Sequence, residues 1–241
     1  MISGNGQIIN AGLDKQALKL ELETNAFVAI PDFLEAALAD RIFQCLSQEV
    51  SWELAYRNGD QAATTSQQQL HNMSAKDRQQ LHEHVIEQAK KTYQFAYFRY
   101  PMLDAFLNNW TPRLMLNDVL AAFNDQPALT FLRDITGDHE VRKVELQATW
   151  YTGGHFLKLH NDRASSGDDR RYACVLGLTR DWIADWGGIL QFVSNGQVTR
   201  SCTPGFNRCI IFKVPRDHQV SYVAPFATRP RYSLTGWLRA D

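Results

Sequence analysis

Val144-Glu-Leu-Gln-Ala-Thr-Trp-Tyr151 alternates with period two, so that Gln147, Thr149 and Tyr151 share one side and Leu146, Ala148 and Trp150 the other. A stretch of this kind reads as a strand with one polar and one apolar face. In a sandwich both faces are used, the polar one lining a pocket and the apolar one meeting helices. Downstream, Tyr172 to Leu178, Gly188 to Val193, Arg208 to Val214 and Arg231 to Leu238 have the same texture. Gly153-Gly154, Ser165-Ser-Gly-Asp-Asp169, Gly187-Gly188, Asn195-Gly196 and Pro204-Gly205 punctuate them. Many short strands at that spacing predict a sandwich or jelly roll from about residue 140 onward.

Upstream the texture is mainly helical. Phe27-Val-Ala-Ile30 is a short strand-like run, followed by Pro31-Asp-Phe-Leu34 and an apolar-periodic stretch to about Val50. Residues 57–73 are polar and aperiodic and read as a surface loop. Ser74-Ala-Lys-Asp77 is a capping box opening a helix through Leu81, Val85, Ala89 and Tyr93. Thr111-Pro112 and Gln126-Pro127 place proline where helices begin, and Gly137 is a stop. The chain is therefore expected to be α+β with a mainly β core. One domain spans 1–241, with 1–139 as helical support and 140–241 as the β core.

The 241 residues, 44% of them hydrophobic and 11% aromatic, can bury a sizeable core. A formal charge of -1 supplies no field to draw in nucleic acid or an anionic membrane. No apolar run approaches the roughly 20 residues a bilayer span needs. Met1 to Asn10 lacks a signal-peptide pattern. Cys45, Cys174, Cys202 and Cys209 show no C-x-x-C spacing, so buried thiols in a reducing cytoplasm are expected.

His160-Asn161-Asp162 is the first group with chemistry. On an extended segment i and i+2 point the same way, so one imidazole and one carboxylate could meet one metal. With seven His and 26 acids in the chain, on the order of one H-x-[DE] arises by chance. The partners strengthen it. His218 follows the strand Cys209-Ile-Ile-Phe-Lys-Val214 and could supply a third ligand from a neighbouring strand. Two histidines and a carboxylate on one face of an octahedron leave three positions open, which suits iron(II). Arg231-Tyr-Ser-Leu-Thr-Gly-Trp237 places Arg231, Ser233, Thr235 and Trp237 on one face. An inward arginine beside hydroxyls calls for an anionic partner, and a carboxylate provides a bidentate one. Arg229 rivals Arg231 but precedes Pro230, before the strand proper. His82-Glu-His84 lies on a helix, where i and i+2 diverge, and reads as a solvated face. His155 is assigned to packing or to the pocket rim.

Residues 144–239 resemble the catalytic domain of 2-oxoglutarate/iron(II) oxygenases of the prolyl 4-hydroxylase type. The resemblance rests on Tyr151-Thr-Gly-Gly-His-Phe-Leu-Lys-Leu-His160-Asn-Asp162, Leu178-Thr-Arg-Asp-Trp182, Gly187-Gly-Ile-Leu-Gln-Phe192 and Asn207-Arg-Cys-Ile-Ile-Phe212. His218-Gln-Val and Arg231-Tyr-Ser-Leu-Thr-Gly-Trp237 complete it in order. The set is similar to oxygen-sensing and ribosomal-protein prolyl hydroxylases. It implies a double-stranded β-helix (jelly roll) with Fe(II) held by His160, Asp162 and His218. The co-substrate 2-oxoglutarate would be gripped by Arg231, with Tyr151, Leu190, Ser233, Thr235 and Trp237 around it and ascorbate as an accessory reductant. The implied activity is hydroxylation of a prolyl residue in a protein or peptide, with release of succinate and carbon dioxide.

Two departures bear on subclass. The tyrosine that oxygen-sensing enzymes offer to the co-substrate has no counterpart in Cys174-Val-Leu-Gly177-Leu178, and the gap from His218 to Arg231 is longer. The rival readings are a nucleic-acid demethylase, a small-molecule hydroxylase and a non-catalytic jelly-roll module that binds ligand without turnover. Demethylases of this kind carry a second arginine six residues after the first, and that position here is Trp237. The polar segment 57–80 is expected to act as a lid or substrate-binding loop.

Overall fold

A computed structural model describes residues 7–163 and 169–241. The first half runs α1 (Lys15–Asn25), β1 (Phe27–Ile30), α2 (Ala36–Gln48), β2 (Glu53–Asn58), β3 (Gln61–Ser66), α3 (Gln67–Asn72), α4 (Ala75–Lys91) and β4 (Phe95–Tyr100). It continues with α5 (Met102–Leu107), α6 (Met115–Phe123) and α7 (Gln126–Thr136). The second half is β5 (Lys143–Tyr151), β6 (Phe156–His160), β7 (Arg170–Leu178), β8 (Leu190–Ser194), β9 (Gln197–Cys202), β10 (Phe206–Lys213), β11 (His218–Val220) and β12 (Arg231–Arg239).

The strands make one curled antiparallel sheet in the order β1-β10-β7-β12-β5-β4-β6-β11-β8-β9, with β2 and β3 attached through β4. This is a jelly-roll half-barrel with helices packed outside it, the expected fold class. Its central ladder pairs β12 with β5 in a register that separates two chemistries: Arg231↔Tyr151, Ser233↔Thr149 and Thr235↔Gln147 on one face, Tyr232↔Trp150 and Leu234↔Ala148 on the other. Leu234 and Ala148 are fully buried and join one core with Ile42 and Leu46 of α2, Leu116 and Leu120 of α6, and Leu132 and Ile135 of α7. Truncating a leucine there to alanine costs about 2–5 kcal/mol. Gly236 lets β12 and β5 approach, because a Cβ at that position would lie 1.8 Å from the Glu145 carbonyl oxygen.

Several local expectations hold. Ser74 caps α4 by accepting from the Asp77 amide, Pro127 sits in the first turn of α7, and Gly137 ends it in the left-handed region. Others differ. Residues 57–73 are not a loop: β2 and β3 form a hairpin across Gly59 and Ser66 caps α3. The hairpin lies off the main strand path with half of β3 exposed, so no inward apolar set marked it in the sequence. Thr111-Pro112 precedes α6 by a turn rather than opening it. The first half contributes four strands as well as helices, and β4 meets β2, β5 and β6. Of the turn Ser165-Ser-Gly-Asp-Asp169, residues 165–168 lie outside the described residues, as do residues 1–6 of the N-terminal stretch. All four cysteines are buried and free. Among the described residues no helix is long and apolar enough to cross a membrane.

Candidate active site

His160 ends β6 and His218 begins β11, and the ladder sets them directly opposite each other. Their ring centroids lie 4.1 Å apart. Asp162 reaches them by a route that strand alternation does not describe. Its φ of 56° puts it in the left-handed region, so the chain turns and brings the carboxylate back. Aspartate tolerates that conformation better than most residues. Its Oδ1 lies 3.4 Å from His160 Nε2 and its Oδ2 3.4 Å from His218 Nε2. The three candidate ligand atoms all fall within 4.8 Å of one another.

The tautomers are fixed from behind. His160 Nδ1 is 2.9 Å from the Lys158 carbonyl oxygen and His218 Nδ1 2.7 Å from that of Arg216. A carbonyl only accepts, so each Nδ1 carries the hydrogen and each Nε2 turns its lone pair toward Asp162. Burial, with the neighbouring His160, pushes His218 down to about 4. Burial opposes charge on Asp162, but the two histidines beside it outweigh it and hold the carboxyl below its usual range. The trio presents two Nε2 lone pairs and one carboxylate, the donor set that suits a divalent transition metal.

These residues open on a cavity of about 250 Å³ that also takes in Gln147, Thr149, Tyr151, Leu190, Arg231, Thr235 and Trp237. Arg231 is 4% exposed. No carboxylate pairs with it among the described residues, and its buried Nε has no hydrogen-bond partner. Its guanidinium carbon lies 4.7 Å from the centroid of the Tyr151 ring. Burial works against its charge. An uncompensated buried guanidinium costs several kcal/mol, so this end of the cavity is built for an anion. Arg229 instead faces solvent and pairs with Asp181 at 3.4 Å. Gly188 permits the arrangement, since a Cβ there would sit 3.1 Å from Arg231 Cδ and 3.2 Å from Trp182 Cζ2.

Ser233 stands apart from its expected neighbours. It is fully buried outside the lining of this cavity, and its hydroxyl pairs with Thr149 Oγ1 at 2.8 Å. His155 stacks edge-on against Phe98, accepts from the Thr152 amide, and is pushed by burial to about 4, consistent with packing. His84 bonds to Asn58 on an exposed helix face. Tyr93, Tyr97 and Arg170 also line the cavity and were not singled out from the sequence. The alternation Tyr93-x-Phe95-x-Tyr97 on either side of the β4 start was the available signal. Tyr97 stacks on Tyr151 with centroids 5.0 Å apart, and burial raises both phenols well away from ionisation.

A buried cation facing a metal-competent triad across one jelly-roll cavity invites comparison with known families. Residues 146–239 match the 2OG-Fe(II) oxygenase superfamily. That match contains Tyr151, His160, Asp162, His218 and Arg231. No curated protein matches the chain in sequence. An oxidoreductase of the 2OG-Fe(II) oxygenase family from Burkholderia pseudomallei superposes with a TM-score of 0.60 at 15% identity, covering 97% of this chain and 93% of that one. A Pseudomonas putida prolyl-4-hydroxylase gives 0.54 at 18% identity, covering 94% and 99%. A Trichoplax adhaerens prolyl hydroxylase, solved with a hypoxia inducible factor peptide fragment, gives 0.53 at 17%, covering 93% and 89%. At these identities the likeness establishes the oxygenase fold.

Proposed function

We propose that this chain is an Fe(II)- and 2-oxoglutarate-dependent dioxygenase, working as a single unit, that hydroxylates a prolyl residue in a protein or peptide. The observation that carries the reading is Arg231, buried with no anion in reach among the described residues, in the same cavity as His160, Asp162 and His218. His160 and His218 would each offer Nε2 and Asp162 one carboxylate oxygen, which leaves positions open for a chelating co-substrate. Arg231 would take the far carboxylate of 2-oxoglutarate as a charge-assisted pair. Tyr151 packs its ring against that guanidinium, and Thr235 brings a hydroxyl to the same cavity. Thr149 lines it too, and Ser233 contributes by holding Thr149. Leu190, Phe212 and Trp237 exclude water from one wall. When bound, iron and 2-oxoglutarate supply the oxidising chemistry, and the protein supplies orientation and a shielded site.

The prolyl and peptidyl part draws support from the two prolyl hydroxylases of like fold and from Trp237 standing where a demethylase would carry an arginine. The proposal extends to a cytoplasmic setting, in which the buried thiols of Cys45, Cys174, Cys202 and Cys209 stay reduced. Anaerobic, Fe(II)-loaded protein titrated with 2-oxoglutarate should develop a visible charge-transfer band that His160→Ala lacks. Succinate release in air, with ascorbate added, should then rise with proline-containing peptides that gain one oxygen by mass spectrometry. A band without any peptide hydroxylation would keep the oxygenase and sink the prolyl assignment; no band would sink both.

A further inference from the structure

Each ligand histidine leans on the carbonyl of the residue two positions before it, and both of those residues are cations. Lys158 accepts from His160 Nδ1 through its carbonyl oxygen at 2.9 Å. Its own Nζ donates to the carbonyls of Ala89, at 2.6 Å, and Thr92, at 2.7 Å. Ala89 lies in the last turn of α4 and Thr92 is its C-cap. Arg216 repeats the arrangement on the other side. Its carbonyl accepts from His218 Nδ1 at 2.7 Å, and its Nη1 donates to Asn25 and Ala26 at 3.1 and 3.0 Å. Asn25 is the last residue of α1 and Ala26 its C-cap.

The last carbonyls of a helix have no intrahelical donor and carry the negative end of its dipole, so a lysine or arginine there is held by hydrogen bonds and by field together. Neither Lys158 nor Arg216 pairs with a carboxylate among the described residues; the helix ends are their polar anchors. Backbone bonds tighten both. The Lys158 amide donates to the Gln94 carbonyl at 3.1 Å. The Arg216 amide donates at 3.3 Å to the carbonyl of Asn161, the residue between His160 and Asp162. The Arg216 guanidinium also lies 4.5 Å from the Phe192 ring, which neighbours His218.

We propose that Lys158 and Arg216 are paired positioning residues that fix the two ligand histidines to the C-termini of α4 and α1. Each side chain sets where its own carbonyl stands, and the carbonyl sets the tautomer and azimuth of the imidazole. The N-terminal helices thereby hold the metal site from outside the sheet. The inference rests on the iron site proposed above.

Co(II) alone, added to metal-free protein, reads the site through its ligand-field bands without turnover. Lys158→Met and Arg216→Met should each bind Co(II) about ten- to a hundredfold more weakly, the range for losing a group that orients a metal ligand. Their ligand-field spectra should shift, while the metal-free Tm drops only by about 2–4 °C. Lys158→Arg and Arg216→Lys should restore most of the affinity, and Arg180→Gln, which loses its pairing with Asp40 and its stacking on Phe206, should leave it unchanged. If a methionine variant fails to fold, Lys158→Gln or Arg216→Gln, each keeping one donor, should give an intermediate loss. Wild-type affinity and spectrum in these variants would overturn the inference, as would an affinity loss that the conservative variants do not recover. A wild-type chain that binds no Co(II) would instead overturn the iron site itself.

Discussion

At one end of the cavity a carboxylate lies between two imidazoles; at the other a guanidinium is sealed in with no anion in reach among the described residues. The first end has lone pairs to spare and its protons already committed to carbonyls behind it. The second has a donor to spare, its buried Nε. The two are not a broken salt bridge, because strand register holds His160 and His218 on β6 and β11 while Arg231 is fixed on β12. The difference teaches that the cavity is suited to two species of opposite charge, a cation at the triad and an anion at Arg231. Removing either end should therefore leave the other intact.

The largest effect should come from the triad. His160→Ala is expected to weaken Fe(II) binding by well over the hundredfold that orienting groups give, and to abolish succinate formation. Metal analysis and succinate assay check both, with circular dichroism confirming the fold. Arg231→Met should keep metal affinity but raise the 2-oxoglutarate KM roughly hundredfold, the scale of a charge-assisted pair near 3 kcal/mol. The same variant should melt at a higher temperature than wild type without ligand, since it removes a buried unpaired charge. A parallel loss of metal binding in Arg231→Met would break the independence of the two ends.

The pH dependence should be smaller. His155 titrates at about 4 in the fold against about 6.5 unfolded. Between those values the unfolded chain binds more protons, so stability is unaffected above pH 6.5 and declines toward pH 4. That decline amounts to about 2 kcal/mol at pH 5 from this one group. Urea melts at pH 7 and 5 should show a slope that His155→Gln reduces. Smallest of all, Thr149→Val leaves the Ser233 hydroxyl without its buried partner and should cost about 1 kcal/mol with a modest rise in the 2-oxoglutarate KM.

The strands of the second half were legible because one face of each is buried, which prints an alternating pattern. Arg231 was preferred over Arg229 on similar grounds, being within the strand and not before a proline. The hairpin β2–β3 was not legible, because its half-exposed outer strand leaves no apolar alternation behind. His160 and Asp162 were paired for a reason the structure revises. The residues meet, but through a left-handed turn at Asp162 that no local pattern announces. Ser233 shows the limit of face counting, since alternation gives a direction but not which hydroxyl its neighbour will claim. Lys158 and Arg216 had no signal at all, as their partners are helix ends about 66 and 190 residues away in sequence.

Strand β1 pairs with β10, Phe27 against Phe212, and Asn207 binds both the amide and the carbonyl of Leu34 with its side chain. A ribosome making this chain thus releases the first strand long before its partner exists. Phe27, Val28 and Ile30, all buried at the end, must wait through most of synthesis as an unclaimed apolar edge. Contacts of such long range are slow to form, so yield in the cell should depend on what shields that edge meanwhile. Slowed translation without added chaperone should lower soluble yield, whereas a destabilised helix far from β1 should not have that sensitivity.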